Sequence, residues 1–170
     1  MTLNKVQARI VDDLIRNGIS VIHFNDLFPS QRFSELQKLT EAYLRENNEK
    51  INAIQGGLRP GKAGKFYLVR LLGDEPVLDR QSPFVALSLS DEVLAVVCRY
   101  LGMFSRVIDM DLWCNVPTEG PDTYSQAWHR DPDDRKLVKT FLYLQDVGET
   151  TGPFCYIPGS HNGGPFSRTF

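Results

Sequence analysis

The sequence predicts an α+β fold in which helices come first and short strands follow. Apolar residues recur at helical spacing through most of the first hundred residues, then alternate with polar ones in short runs after residue 104. Gly/Pro clusters separate these later runs closely, which suggests a sandwich or barrel rather than a parallel sheet. The chain has 170 residues, 42% hydrophobic and 24% charged, which suits one globular domain with its own core. No repeat, low-complexity tract or linker divides it.

The elements follow in order. Val6, Ile10, Leu14 and Ile15 share a helical stripe that Gly18 should close. Residues 19–24 (ISVIHF) are a short β-rich run. Pro29-Ser30 opens a second helix with Phe33, Leu36, Leu39, Tyr43 and Leu44 on one face. Residues 52–64, with four glycines and a proline, predict a mobile loop. Residues 65–72 (KFYLVRLL) predict a strand, and residues 82–101 a third helix stopped by Gly102. Beyond it, residues 104–113 (FSRVIDMDLW), 124–129 and 137–144 (LVKTFLYL) predict strands, with a turn at PTEGPD (117–122). GETTG (148–152) then reverses the chain into PFCYIPGSH.

Charge and cysteine usage narrow the function. A net charge of −2 and a pI near 5.9 give no basic field, which argues against nucleic acid as a partner. Cys98, Cys114 and Cys155 are odd in number, form no CxxC and have apolar neighbours, so they predict buried free thiols in a reducing compartment. The start, MTLNKVQARIVDDLI, is charged throughout and does not read as a signal peptide. No apolar run is long enough to span a bilayer. A cytoplasmic protein is the expectation.

The chemistry concentrates in WHRDPDD, residues 128–134. On an extended chain His129 and Asp131, at i and i+2, project from the same face. An imidazole and a carboxylate side by side make two-thirds of the 2-His-1-carboxylate triad that binds Fe(II) and leaves positions open. H-x-D alone is a short motif, and a solvated or capped His/Asp pair meets the same spacing. Trp128 and Arg130 face the other way. Trp128 is expected to pack in the core or against the helices, and Arg130 to pair within the acidic run of PDD (132–134), itself read as a solvated turn. His23 reads as a packed or half-exposed strand residue. Asp109 and Asp111 share a strand face but have no nearby His.

The longer run SQAWHRDPDDRKLVKTFLYLQDVGETTGPFCYIPGSH resembles the phytanoyl-CoA dioxygenase (PhyH-like) family of Fe(II)- and 2-oxoglutarate-dependent oxygenases. WHRD, KTFLYLQDV and GPFCYIPGSH appear in the family's order, and the likeness covers residues 104–161. It implies a double-stranded β-helix, or jelly roll, flanked by N-terminal helices: one domain, helical over about 1–102 and jelly roll over about 104–170. It also implies that His129 and Asp131 are iron ligands. The cofactors would be Fe(II), 2-oxoglutarate and O2, and the reaction hydroxylation of an unactivated C–H bond of a small molecule. An intact carboxylate at Asp131 favours hydroxylation over halogenation, because related halogenases carry a small residue there.

The family's third iron ligand is a later His, followed by an Arg for the far carboxylate of 2-oxoglutarate. No His follows His161, and Arg168 stands too close to it for that pattern. The expectation is an N-terminal portion of a longer enzyme with its last strands missing and its strand edges uncovered, prone to self-association. Lys139, Phe141 and Tyr143 share one face of their strand, and Lys139 on a barrel interior could pair with that carboxylate. The other reading lets Lys139 reach water at the barrel mouth. His161 is assigned to a turn after PGS, as a cap on the segment C-terminal to it. Two alternatives stay open: an inactive small-molecule-binding jelly roll, and a cupin-like metal protein using His161 as third ligand.

Overall fold

The computed structural model describes residues 2–57, 65–73, 76, 79–117, 126–130 and 136–168. Helix α1 (Lys5–Asn17) starts on a reciprocal capping box. Gln7 N–H donates to Asn4 Oδ1 at 2.9 Å, and Asn4 N–H donates to Gln7 Oε1 at 2.9 Å. It ends at Gly18, whose φ of 74° is left-handed and whose N–H donates to the Leu14 carbonyl at 3.1 Å. Ile10 and Val11 pack with Val96 of α5 (Asp91–Leu101), ringed by Leu3, Val6, Leu14, Ile22 and Leu27. Buried Gln7 ties the two helices by donating its amide to the Glu92 carbonyl at 3.1 Å.

The second core forms around Leu36 of α2 (Ser30–Glu46), which is fully buried. It packs with Val69 and Leu71, with Phe84 of α4 (Pro83–Ser88), and with Leu112 and Val116. Strand β1 (Leu68–Arg70) pairs antiparallel with β2 (Trp113–Asn115), setting Leu68 against Asn115 and Arg70 against Trp113. Leu71 N–H to Leu112 O and Val116 N–H to Tyr67 O, both 2.8 Å, extend the ribbon by one bond at each end. Period-two alternation turns Tyr67, Val69 and Leu71 inward and leaves Arg70 exposed.

Several expectations change. Residues 19–23 form no strand; Phe24–Asp26 is a single 3₁₀ turn and His23 is exposed. The expected loop from residue 52 begins later, because α3 (Asn48–Gln55) runs on until Gly56-Gly57. Its Ile51 and Ile54, three apart, pack on the Leu36 core, and this apolar stripe offsets the short helix's weak intrinsic stability. The helix expected over 82–101 is two helices, broken at Leu89-Ser90, where Ser90 is extended (ψ 151°) as the N-cap of α5. Acidic Asp91 and Glu92 then fill α5's first turn, where the helix dipole favours them.

The β-rich half departs further. Among the described residues, β1 and β2 form the one two-stranded sheet. Residues 104–112, 126–130 and 137–144 carry no assigned strand. Phe104 is 99% exposed, so its end of the FSRVIDMDLW run has no covering layer. Burial alternates only over 141–144, with Leu142 and Leu144 half-buried and Phe141 and Tyr143 exposed; before that, Leu137 and Val138 are both half-buried and Lys139 and Thr140 both exposed. Two contacts that hold this stretch use side chains instead of a ladder. Gln37 Nε2 donates to the Leu144 carbonyl at 2.8 Å, and Phe154 N–H donates to the Tyr143 hydroxyl at 2.9 Å. The thiols differ as well: Cys98 and Cys114 are half-buried, but Cys155 is exposed. Burial pushes the Cys114 thiol above its ordinary value of 9.0.

Candidate metal centre

His129 lies in an exposed segment, residues 126–130, and its Nδ1 donates to the Ala127 carbonyl at 2.8 Å. A carbonyl can only accept, so the proton sits on Nδ1 and the lone pair of the neutral ring on Nε2. That tautomer is the one a metal-binding imidazole adopts when a backbone carbonyl orients it from behind. Asp131 lies outside the described residues. Among the described residues, no group of three His, Cys, Asp or Glu side chains could hold a metal ion. The donor chemistry of His129 fits iron, and the described part of the site amounts to that one candidate side chain.

Arg130 holds the segment in place. Its guanidinium donates to the Ser160 carbonyl at 3.0 Å and the Ser167 carbonyl at 2.9 Å, clamping WHR to the PGSH turn. The expected pairing with PDD falls outside the described residues. A sequence offers little signal for the observed bonds, because backbone carbonyls accept from any donor and carry no residue signature. Trp128 corrects a second expectation, since it is 66% exposed instead of packed in the core. All five residues from 126 to 130 are exposed, so their alternate positions do not divide into an inner and an outer face.

His161 has a structural task. Its Nε2 donates to the Ile15 carbonyl at 3.1 Å, and Gly159 N–H donates to the Asn17 carbonyl at 2.7 Å. Both acceptors belong to the last turn of α1, whose carbonyls lack partners within the helix. His161 therefore caps α1, 146 residues earlier in the chain, and not the segment C-terminal to itself. Its Nδ1 is buried without a partner among the described residues, and an alanine methyl at Gly18 would come within 2.6 Å of it. With one nitrogen bonded to α1 and the other packed against Gly18, the ring presents no nitrogen as a third metal ligand.

The face of Lys139, Phe141 and Tyr143 is open. Phe141 stacks on Phe154 with centroids 4.8 Å apart, and Phe154 on Tyr156 at 6.4 Å, so the aromatic row runs across two segments. Tyr156 also neighbours Tyr100, whose hydroxyl is raised above its ordinary 10.0 by burial first and by Tyr156 second. Asp111 is accounted for by an ion pair with Arg70 at 3.1 Å, which ties β1 to the approach to β2.

No helix among the described residues is long and apolar enough to cross a membrane. Neither a curated protein nor a solved structure matches the chain. The sequence profile of the family described as phytanoyl-CoA dioxygenase (PhyH) matches residues 16–170, far more than half the chain. Members of that family are in general Fe(II)- and 2-oxoglutarate-dependent oxygenases. WHRD and PGSH both lie inside the match, Arg130 joins its segment to the PGSH turn, and the chain belongs to the phytanoyl-CoA dioxygenase family.

Proposed function

We propose that the protein is an Fe(II)- and 2-oxoglutarate-dependent dioxygenase that hydroxylates an unactivated C–H bond of a small molecule. In this reading residues 104–170 belong to a jelly roll that the N-terminal helices flank. His129 and Asp131 would hold the iron. Bound iron would supply the oxidation that couples decarboxylation of 2-oxoglutarate to hydroxylation of the substrate. The observation that carries the reading is the Nδ1–H···O=C bond from His129 to Ala127, which keeps Nε2 as the ring's donor atom. Arg130 holds the backbone between the two ligands against the PGSH turn. Lys139, exposed beside the Phe141–Phe154 stack, is the cation we assign to a carboxylate of 2-oxoglutarate, with Phe141 and Tyr143 walling the same face.

Calorimetric titration of Fe(II) under anaerobic conditions tests the ligand assignment. Removing one of two protein ligands should weaken binding by roughly tenfold or more in His129→Ala and in Asp131→Ala. His161→Ala should keep the metal affinity and lose thermal stability, because its bond is to α1. Equal loss of metal in His161→Ala and His129→Ala would make His161 a ligand and overturn the assignment.

A further inference from the structure

A groove of about 680 Å³ opens between α3 and the outer face of the β1–β2 ribbon, and the proposed iron chemistry uses none of its residues. That volume suits a small organic molecule. Ala53, Ile54 and Leu68 give it an apolar lining, and the indole of Trp113, 44% exposed, forms one wall. The Lys65 ammonium stands 5.8 Å from the centre of that indole. Lys50 adds a second cation from α3, with Glu49 beside it in sequence.

The charges sort by partner. Arg70 also lines the groove, but its guanidinium is in an ion pair with Asp111. Among the described residues, neither Lys50 nor Lys65 forms an ion pair. Glu49 offsets only one of these two lysines, so the described residues of the groove keep a net positive charge. A half-exposed indole offers a flat apolar face on which a ring can stack, and the lysine over it marks where an anionic head would sit.

We propose that this groove binds a small aromatic carboxylate, its ring against Trp113 and its carboxylate between Lys65 and Lys50. The ring would displace water from the indole and from Leu68, and the carboxylate would meet two ammonium groups at the solvent edge. An aliphatic acid of the same charge would lose the stacking, and a neutral arene the ion pairs. The assignment is independent of iron, because no groove residue is a proposed metal ligand.

Titration calorimetry on the full chain, with 2-naphthoate as probe and circular dichroism to verify folding, tests it. Saturable binding is expected, with affinity falling roughly tenfold in Lys65→Gln and in Trp113→Leu. The neutral 2-naphthamide should bind at least about tenfold more weakly than the acid. If Trp113→Leu does not fold, the exposed Lys65→Gln variant carries the test. Absence of naphthoate binding, equal binding of acid and amide, or unchanged affinity in Lys65→Gln would each overturn the proposal. Displacement of naphthoate by 2-oxoglutarate would also overturn it, by making the groove the cosubstrate's site.

Discussion

Gly18 and Gly102 have the same backbone and different surroundings. Both end a helix at φ 74°, and each donates its N–H to a carbonyl four residues back. A methyl group added at Gly102 meets nothing within 4 Å, whereas at Gly18 it would fall onto the Tyr156 hydroxyl and the His161 ring. Alanine at either site carries the left-handed penalty of about 1–2 kcal/mol. Only at Gly18 must the PGSH turn also move off α1, which releases the bonds to Ile15 and Asn17. Gly18→Ala should therefore lower the urea midpoint clearly more than Gly102→Ala; equal losses would mean that the turn is not seated on α1 in solution. The helical pattern exposes both glycines as stops, because a left-handed cap is a local demand. What separates them lies some 140 residues along the chain, where no local pattern reaches. The i,i+2 spacing to Asp131 marks His129 as a candidate in the sequence, whereas the bonds of Arg130 leave no such mark, since its partners are backbone carbonyls.

At the scale of elements, the break between α4 and α5 shows how a visible signal can be outweighed. LSLSDEV holds a Ser followed by two acids, an N-terminus pattern, but unbroken apolar spacing on either side reads as one helix. Ser90 ends up extended at the N-cap without the usual side-chain bond, and its buried hydroxyl has no partner among the described residues. The first turn of α5 relies instead on Asp91 and Glu92. A working Ser cap loses about 0.5–2 kcal/mol on mutation to Ala. Here the substitution removes an unsatisfied buried hydroxyl, whose burial costs about 1–3 kcal/mol. Ser90→Ala should thus leave the melting temperature unchanged or raise it; a drop would place a hydrogen bond on that hydroxyl in solution. Helices were legible because apolar periodicity and caps are local. The strand expected over 137–144 rests on sequence alternation alone and does not form, since a ladder also needs a partner at the right register.

Across the whole molecule, hydrogen bonds among the described residues anchor the irregular C-terminal half to the helices. Lys136 donates to the Tyr100 carbonyl at 2.7 Å at the end of α5, Gln37 of α2 holds Leu144, and the PGSH turn closes α1. The bonds at Tyr100 and at the end of α1 satisfy helix-end carbonyls, the Gln37 bond satisfies the loop carbonyl of Leu144, and all fix where the segments run. Met103 (66% exposed), Phe104 (99%) and Ile108 (65%) lie within six residues of one another, and Trp128 (66%) and Phe154 (51%) add to the exposed aromatic surface. Clusters of large apolar side chains on a surface favour contact with another chain, and each strand of the β1–β2 ribbon has one edge with no ladder partner among the described residues. The net charge of −2 supplies little repulsion to oppose that contact. We therefore expect the 170-residue chain to self-associate, with sedimentation velocity showing larger species as concentration rises. The double variant Phe104→Ser, Ile108→Ser should shift the distribution towards monomer without lowering the melting temperature, because neither side chain belongs to a core cluster. A single monomer boundary across the concentration series, with a sharp cooperative melt, would contradict this and show that the exposed cluster is not an association surface.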